Sequence, residues 1–276
     1  MPIFHAIVLG LTQGFSEFLP ISSSGHLILV RWLFKWPELT PPSTAKAFDV
    51  ALHLGTLIAV VAYFWRELIV YVRDGAQMVL HRERPSTVEG RMAWLLILSA
   101  VPAGLVGALF ESAVEEKLGK VWLIAVTSIV FALLLAWADR RTGIRKVESY
   151  TRKDALVLGA AQMLALNPGT SRSGVTITAA RFTGFDRDAA ARLSFLMSIP
   201  VIGGAVVFKM AKLLKDGIPH GLAIPMLVGI VTAAISGWIA VWGTIKLLRT
   251  RSFMPFVVYR VVMGVVVLLL LATGVR

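Results

Sequence analysis

Residues 13–26 read Gln13-Gly14-Phe15-Ser16-Glu17-Phe18-Leu19-Pro20-Ile21-Ser22-Ser23-Ser24-Gly25-His26, a polar run inside an otherwise apolar stretch. A second run, Asn167-Pro168-Gly169-Thr170-Ser171-Arg172-Ser173-Gly174, interrupts another apolar stretch in the second half of the chain. Polar and ionisable groups at membrane depth are costly and usually mark function. A carboxylate, an imidazole, a guanidinium and many hydroxyls together indicate a site for an anion, with phosphate as the leading candidate.

The composition is that of an integral membrane protein. Of the 276 residues, 57% are hydrophobic and only 16% are charged, whereas a soluble domain carries about 25% charged residues. The mean hydropathy is +0.75. Apolar runs of about 20 residues recur, which predicts transmembrane helices and not the short alternating strands of a β-barrel.

Charge and cysteine content narrow the classes of function. The net charge of +12 fits Lys and Arg in cytoplasmic loops beside anionic lipid, and no soluble basic domain is present to bind nucleic acid. The chain has no cysteine, which excludes disulfides, thiolate metal sites and a cysteine nucleophile. The first apolar run lacks a basic start and contains Glu17 and His26, so we do not expect a cleavable signal peptide.

Eight apolar segments are predicted, and the loops between them carry most of the charge. The segments are about 2–30, 47–65, 92–110, 121–138, 155–180, 193–208, 225–244 and 256–274. We predict a single membrane domain over residues 1–276, in which the polar loop 139–154 links repeat one (about 1–140) to repeat two (about 150–276).

Short matches in the same order relate the two halves. Leu9-Gly10-x-x-Gln13 matches Leu158-Gly159-x-x-Gln162, and Ser22-x-Ser24-Gly25 matches Ser171-x-Ser173-Gly174. Their shared order indicates an internal duplication. Repeats of this kind in membrane proteins place the functional site at the interface between the two copies.

The loop charges predict how the two repeats are oriented. Loops 66–91, 139–154, 181–192 and 245–255 are rich in Lys and Arg and are predicted to be cytoplasmic, whereas loop 111–120, with three glutamates, is predicted to lie outside. Segment 155–180 then begins and ends inside, and by the repeat, segment 2–30 begins and ends outside. The predicted fold is therefore an all-α polytopic membrane protein with two inverted-topology repeats, each with one re-entrant helical hairpin and three transmembrane helices. The two hairpin tips meet near the membrane centre, where non-helical backbone must be buried or line a wet cavity.

The first polar run has the elements of an anion pocket. Gln13 and Glu17 are four residues apart and share a helix face. Pro20 ends that helix, and Ser22, Ser23 and Ser24 cap the next one, where hydroxyls and free N–H groups bind anions. His26 falls in the first turn of the second helix.

The second run repeats this arrangement around an arginine. Pro168-Gly169 breaks the helix, Gly174 permits close approach of a ligand, and the planar fork of Arg172 suits phosphate oxygens. The alternative interpretation is that Arg172 bridges helix ends, for example by pairing with Glu17. The predicted phosphate-binding residues are Arg172, Ser22, Ser24, Ser171, Ser173 and Thr176.

These two runs resemble the two signature motifs of the bacterial undecaprenyl pyrophosphate phosphatase family, the bacitracin-resistance type. Residues from Phe48-Asp49-Val50 to Phe64-Trp65-Arg66 also resemble the family, and the likeness spans essentially the whole chain. The family's first motif has Glu or Gln followed four residues later by Glu, and this chain has Gln13 before Glu17. Gln13 leaves one carboxylate fewer for a metal ion.

The resemblance implies an activity, a cofactor and a location. The activity is hydrolysis of undecaprenyl pyrophosphate to undecaprenyl phosphate and inorganic phosphate, which recycles the lipid carrier for cell-wall synthesis and confers bacitracin resistance. The cofactor is a divalent cation, Mg²⁺ or alternatively Ca²⁺, and the location is the inner membrane with the site open to the periplasmic side. The expected partners are the prenyl pyrophosphate and membrane lipid.

The predicted roles follow from this chemistry. Glu17, helped by Gln13, is the expected metal ligand. Arg172 is expected to bind the phosphates and to stabilise charge in the transition state. His26 acts as nucleophile or as general acid and base, or Ser23 is the nucleophile with His26 as its base; the sequence does not choose between them. For Asp49 and His53, which share a helix face, structural roles are at least as plausible, and no role is assigned to His5, His81 and His220.

Two other classes of function stay open from the sequence. A transporter or flippase for a polyprenyl phosphate lipid would use the same architecture, and a non-catalytic membrane scaffold is the third class. The grouping of Glu17, His26 and Arg172 has more chemistry than binding requires, which favours an enzyme. The glycines at 203–204 and between 229 and 237 permit close helix packing, which leaves homodimer formation open.

Overall fold

The computed structural model describes residues 1–36, 42–80 and 87–275, and helices supply nearly all of its regular structure. One isolated bridge pairs Arg145 with Phe185, and single 3₁₀ turns lie at Val147–Ser149 and Leu164–Leu166. The α-helices are α1 (Ile3–Phe18), α2 (Ser23–Leu33), α3 (Pro42–Leu80), α4 (Val88–Leu118), α5 (Val121–Asp139), α6 (Arg152–Met163), α7 (Arg172–Phe182), α8 (Arg187–Asp216), α9 (Ala223–Leu248) and α10 (Met254–Ala272).

Within the described residues, six helices are long and apolar enough to cross a membrane. These spans are Thr44–Leu80, Val88–Leu109, Val121–Asp139, Arg187–Leu213, Ala223–Leu248 and Met254–Ala272. Many large apolar side chains on them are exposed, for example Trp65, Leu105 and Leu269. Apolar surface on this scale is stable only against lipid or a partner. The predicted all-α polytopic membrane fold is confirmed.

The other two predicted apolar segments are broken helices. In the first, α1 ends at Phe18 before Pro20, and α2 begins at Ser23; in the second, Pro168-Gly169 separates α6 from α7. The residue before each second helix has a left-handed backbone, with φ 78° at Ser22 and φ 74° at Ser171. Such a conformation costs roughly 1–3 kcal/mol in a residue other than glycine. Because these two serines are matched in the sequence repeat, the shared strain supports a duplication.

Each broken segment packs on a long helix of the other half. Helix α1 lies against α9, where a Cβ on Gly14 would be 1.9 Å from Ser236 Oγ and 2.7 Å from Ala233 O. Helix α6 lies against α4, where a Cβ on Gly159 would be 2.6 Å from Ser99 O. This reciprocal exchange is expected of two related halves. Their inversion across the membrane remains a prediction.

We expect Gly14→Ala to destabilise the fold by roughly 2 kcal/mol or more, because the new methyl group meets backbone atoms of α9 that cannot rotate away. Gly243→Ala on α9 is the matched control, since a Cβ there meets nothing within 4 Å. Thermal unfolding of both purified variants in detergent checks this. Equal midpoints for the two variants would contradict the close α1–α9 packing.

Two predicted loops are mostly helical. Helix α3 continues through loop 66–91 to Leu80, and α4 continues through loop 111–120 to Leu118. Most of the charged residues there are good helix formers, and no proline interrupts residues 66–80 or 111–118. The charges therefore indicate where the chain leaves the lipid and not where a helix ends. With 39 residues, α3 is about 58 Å long, far more than the ~30 Å hydrocarbon core. His81 lies outside the described residues.

The predicted linker, residues 139–154, is held against the second half of the chain by hydrogen bonds. Arg145 donates to both carboxylate oxygens of Asp154, at 2.9 and 2.6 Å, and to Thr183 O at 3.0 Å. The hydrogen bond to Asp154 raises the pKa of the Arg145 guanidinium. The segment between α5 and α6 therefore has a defined position against the end of α7.

Candidate functional site

The two helix breaks lie against each other in the interior. Gly169 N donates to Ser22 Oγ at 3.1 Å, and Ser173 Oγ donates to Leu19 O at 2.9 Å. Three of these four residues are buried, with Ser22 4% and Ser173 1% exposed, and Leu19 is partly buried. The two polar runs therefore meet, as the repeat predicted.

Arg260 of α10 holds the two breaks together. Its guanidinium is fully buried and donates to Pro20 O at 3.2 Å, Gly169 O at 2.8 Å and Thr170 O at 3.0 Å. Within the described chain it has no carboxylate partner, so its charge adds positive potential beneath the breaks. No role was predicted for Arg260 from the sequence, although an arginine inside an apolar segment was a usable signal.

Glu17 is the centre of a polar cluster. Its Oε2 accepts from Ser23 Oγ at 2.6 Å and from Gln13 Nε2 at 3.1 Å, while its Oε1 accepts from Arg172 Nη2 at 3.2 Å. The carboxylate thus joins the two breaks, because Arg172 begins α7. The alternative interpretation, in which Arg172 pairs with Glu17, describes the contact that is present.

Arg172 retains donor capacity beyond this pair. Its Nη1 donates to Ser194 O at 3.0 Å, and its buried Nε has no acceptor in the described structure. A buried donor without a partner is costly. A bound anion would supply the missing acceptor.

The cluster opens into a cavity of about 340 Å³. Its polar wall is drawn from both breaks and from α3 and includes Glu17, Ser22, Ser23, Ser24, Asp49, His53, Gln162, Ser171 and Arg172. Its apolar wall is formed mainly by α8 and by the 3₁₀ turn that follows α6, with Ala165, Leu166, Val201, Ile202, Ala205 and Val206. A polar end beside an apolar groove suits an amphiphile with an anionic head.

His26 points to the other side of α2. Its Nδ1 lies 2.7 Å from Ser22 O, and its Nε2 lies 2.7 Å from the hydroxyl of Tyr259 on α10. Because a carbonyl only accepts, Nδ1 carries the proton and Nε2 accepts from Tyr259. His26 is not among the described residues that line the cavity. The pairing of His26 with Ser23 that the sequence suggested is thus replaced by a pairing of Ser23 with Glu17.

Two of the predicted phosphate-binding hydroxyls, those of Ser173 and Thr176, are used within the protein away from the cavity. Ser173 donates to Leu19 O, and Thr176 Oγ1 donates to Arg172 O at 2.8 Å and lies 2.7 Å from Ser194 Oγ. Neither belongs to the described cavity wall, whereas Ser22, Ser24 and Ser171 do. Ser173 and Thr176 thus stabilise the start of α7 in this structure.

His53 and Gln162 line the cavity although neither was predicted as a site residue. His53 Nδ1 lies 2.7 Å from Asp49 O, which leaves Nε2 directed at Glu17 Oε2, 3.8 Å away. Gln162 Nε2 donates to Ser99 O at 2.9 Å, and its buried Oε1 has no donor in the described structure. Their positions depend on the packing of α3 and α6, which no local pattern encodes.

The donor set fits a hard divalent cation. Among the described residues, no group of three or more His, Cys, Asp or Glu side chains is placed to hold a metal ion. However, Gln13 Oε1, next to Glu17, and Gln162 Oε1 are buried acceptors that no donor reaches in the part of the chain that the structure describes. Mg²⁺ binds through one or two carboxylates together with waters and substrate phosphates and does not need a full protein cage.

Fold and site together define a polytopic membrane protein with a buried carboxylate–arginine site where two broken helices meet, beside an apolar groove. Residues 6–266 match the family described as "Bacitracin resistance protein BacA". The chain belongs to this family.

Curated relatives extend the match over the whole chain. An undecaprenyl-diphosphatase of Geotalea daltonii is 47% identical over 277 residues, covering 99% of this chain and 100% of the relative. Undecaprenyl-diphosphatases of Pelobacter propionicus and Geobacter sulfurreducens are each 46% identical, over 100% and 97% of this chain. The resemblance inferred from the two polar runs is confirmed at the level of the family.

Proposed function

We propose that this protein hydrolyses undecaprenyl pyrophosphate to undecaprenyl phosphate and inorganic phosphate. The observation that carries the proposal is the convergence of Glu17, Ser23 and Arg172, from two separate helix breaks, on one cavity. The family and the names of the curated relatives support the same substrate. The recycled monophosphate serves cell-wall synthesis, and bacitracin resistance follows from removal of the pyrophosphate form.

The cavity accommodates the two parts of such a substrate differently. The diphosphate lies at the polar end, where Arg172 and the N–H groups at the start of α7 provide donors. The prenyl chain lies along the apolar wall of α8, beside Ile202 and Val206. Burying the tail there holds the terminal phosphorus near Ser23 and Glu17.

In the proposed reaction Ser23 is the nucleophile. Its hydroxyl already donates to Glu17 Oε2 at 2.6 Å, so the carboxylate is positioned to take the proton as Oγ attacks the terminal phosphorus. Undecaprenyl phosphate leaves, and water then releases inorganic phosphate from the serine. Arg172 stabilises the charge that develops on the transferred phosphoryl group.

A divalent cation, Mg²⁺ or Ca²⁺, is the proposed cofactor. Glu17 and Gln13 would hold it, with Gln162 as a further oxygen donor facing the cavity. When bound it would neutralise negative charge on the diphosphate.

The proposed location is the bacterial inner membrane, with the cavity open to the periplasmic side. Lys and Arg are concentrated in the loops that join α5 to α6, α7 to α8 and α9 to α10. This supports a cytoplasmic position for those loops. The candidate active site lies at the start of α7, which is the end of this helix opposite the α7–α8 loop.

Phosphate release from undecaprenyl pyrophosphate by the detergent-purified protein with Mg²⁺ tests the function. We expect sustained release that ceases on addition of a chelator. Folded, pure protein that binds the lipid without releasing phosphate would instead favour a transporter or flippase.

We expect Ser23→Ala to lower kcat by about 10³-fold, whereas His26→Gln lowers it by no more than about tenfold, because only Ser23 contacts Glu17. Rapid quenching with substrate labelled at the terminal phosphate, followed by peptide mapping, locates the covalent intermediate. Label on Ser23 supports the proposed chemistry. Label on His26 would show that the imidazole turns into the cavity and is the nucleophile.

A further inference from the structure

A second polar cavity, of about 600 Å³, lies at the far end of α7 from Arg172. Its wall is built from the end of α5, the linker that follows it, and the adjoining ends of α7, α8 and α9. Because α7 has 11 residues, the two cavities are separated by about 15 Å along its axis. Six basic and three acidic side chains line this second cavity.

Each of the three carboxylates lies within ion-pair distance of a basic side chain of the same cavity. Asp139 accepts from Arg187 Nε at 2.6 Å and from Phe253 N at 3.1 Å. Asp186 accepts from Lys146 Nζ at 2.5 Å and caps α8 through Ala189 N at 2.7 Å. Asp188 Oδ1 lies 3.7 Å from Arg249 Nε, and this buried oxygen accepts no hydrogen bond in the described structure. These acids balance Arg187, Lys146 and Arg249.

Of the remaining cations, Arg140 and Arg141 pair with no carboxylate among the described residues, and Arg181 shares Asp139 with Arg187. Arg140 and Arg141 are exposed and form no ion pair within the described residues. Arg181 is only 3% exposed, and its Nε has no acceptor in the described structure. The nearest carboxylate oxygen, Asp139 Oδ1 at 3.8 Å, already accepts from Arg187. The cavity therefore carries a surplus of positive charge and an unsatisfied buried donor, which favours an anion.

The wall that holds Arg181 is fixed in place. Its Nη1 donates to Phe185 O at 2.6 Å and its Nη2 donates to Arg141 O. A Cβ on Gly143 would lie 2.2 Å from Phe185 O and 2.5 Å from Arg181 Nη1, so only glycine fits there. Asp186 N also donates to Arg145 O at 3.0 Å. The cations are thus arranged by backbone contacts before any ligand binds.

The cavity borders the lipid-facing surface. The guanidinium of Arg141 lies 5.9 Å from the ring centre of Trp137 and 5.7 Å from that of Phe182. Both rings are exposed, Trp137 on one of the six apolar spans. Tryptophan beside basic residues is typical of the headgroup level of a membrane.

We propose that this second cavity is a binding site for a phosphoryl anion, separate from the candidate active site. An anionic phospholipid headgroup and free inorganic phosphate share that chemistry, and basic pockets between membrane helices bind phospholipid headgroups. The surrounding loops are those that the charge pattern predicts to be cytoplasmic, so the ligand is drawn from that side. The site does not depend on the hydrolysis proposed above.

The test compares two double variants that each remove two exposed charges. Arg140→Gln with Arg141→Gln removes two surplus cations of the cavity and touches no carboxylate. Arg152→Gln with Lys153→Gln, at the exposed start of α6, removes the same charge outside it. Native mass spectrometry measures the binding of added phosphatidylglycerol, and calorimetry measures the binding of inorganic phosphate. The calorimetry uses an Arg172→Gln background, which weakens anion binding at the candidate active site.

We expect the cavity variant to bind at least one probe about tenfold more weakly or worse, and the control variant to bind as the parent does. An effect on phosphatidylglycerol alone identifies a headgroup, and an effect on phosphate alone identifies the free ion. Thermal unfolding of all proteins shows that each is folded, and Arg141→Gln alone provides a milder second variant. Equal affinities of the two double variants for both probes, or no binding by the parent, would overturn the proposal.

Discussion

Glu17→Gln should lower kcat for undecaprenyl pyrophosphate hydrolysis by about 10³-fold. The amide keeps the size of the side chain but loses the charge that accepts the Ser23 proton and pairs with Arg172. Phosphate release over a range of substrate concentrations measures the effect. The loss should appear in kcat, since the carboxylate acts on the reacting groups and makes little contact with the tail.

Glu67→Gln is the matched control for this variant. Glu67 on α3 also pairs with an arginine, since both of its oxygens accept from Arg192 Nη2 at 2.8 Å, but it lies outside the described cavity wall. We expect its kcat to stay within about threefold of the parent, because it touches no reacting group. Equal losses in the two variants would mean that Glu17 has only a structural role.

Arg172→Lys should lower kcat/KM by about 10²-fold. Lysine keeps the positive charge but lacks the planar fork, so it cannot contact Glu17 and two phosphate oxygens at the same time. The buried Nε of Arg172, which has no acceptor in the described structure, is the donor that we expect the diphosphate to use. Removing it weakens both substrate binding and charge stabilisation in the transition state.

Arg192→Lys is the corresponding control, in an ion pair of the same kind. We expect it to retain near-parental kcat/KM. If Arg172→Lys also retained full activity, a single positive charge would suffice, and the proposed forked contact with the phosphates would be wrong. Intact thermal unfolding of each variant separates these outcomes from loss of fold.

The helix breaks and their meeting were predictable from the sequence because the signals are local and repeated. Pro20 and Pro168-Gly169 end helices by a steric rule that needs no tertiary information. The match between Ser22 and Ser171 predicted that the breaks are equivalent, and both residues have the same left-handed backbone. Helix ends at the membrane surface were not predictable in this way, since α3 continues through charged residues to Leu80.

The partners of the histidines could not be read from the sequence. His26 is three residues from Ser23, yet the helix directs its ring towards Tyr259, 233 positions along the chain. His53, on a different helix, faces Glu17 because α3 packs beside α1. Long-range packing determined both contacts. Arg260 is a similar case, since its role depends on carbonyls from two separate breaks.

A double-mutant cycle on hydrolysis tests most directly whether Glu17 of one break and Arg172 of the other act on one diphosphate. If they do, Glu17→Gln with Arg172→Lys should lose about 10³-fold in kcat/KM, no more than Glu17→Gln alone, because groups that act as a unit are not additive. The same cycle on Glu67 and Arg192 gives the baseline for an ion pair outside the site. Losses that multiply to about 10⁵-fold, as expected of independent sites, would contradict the shared site.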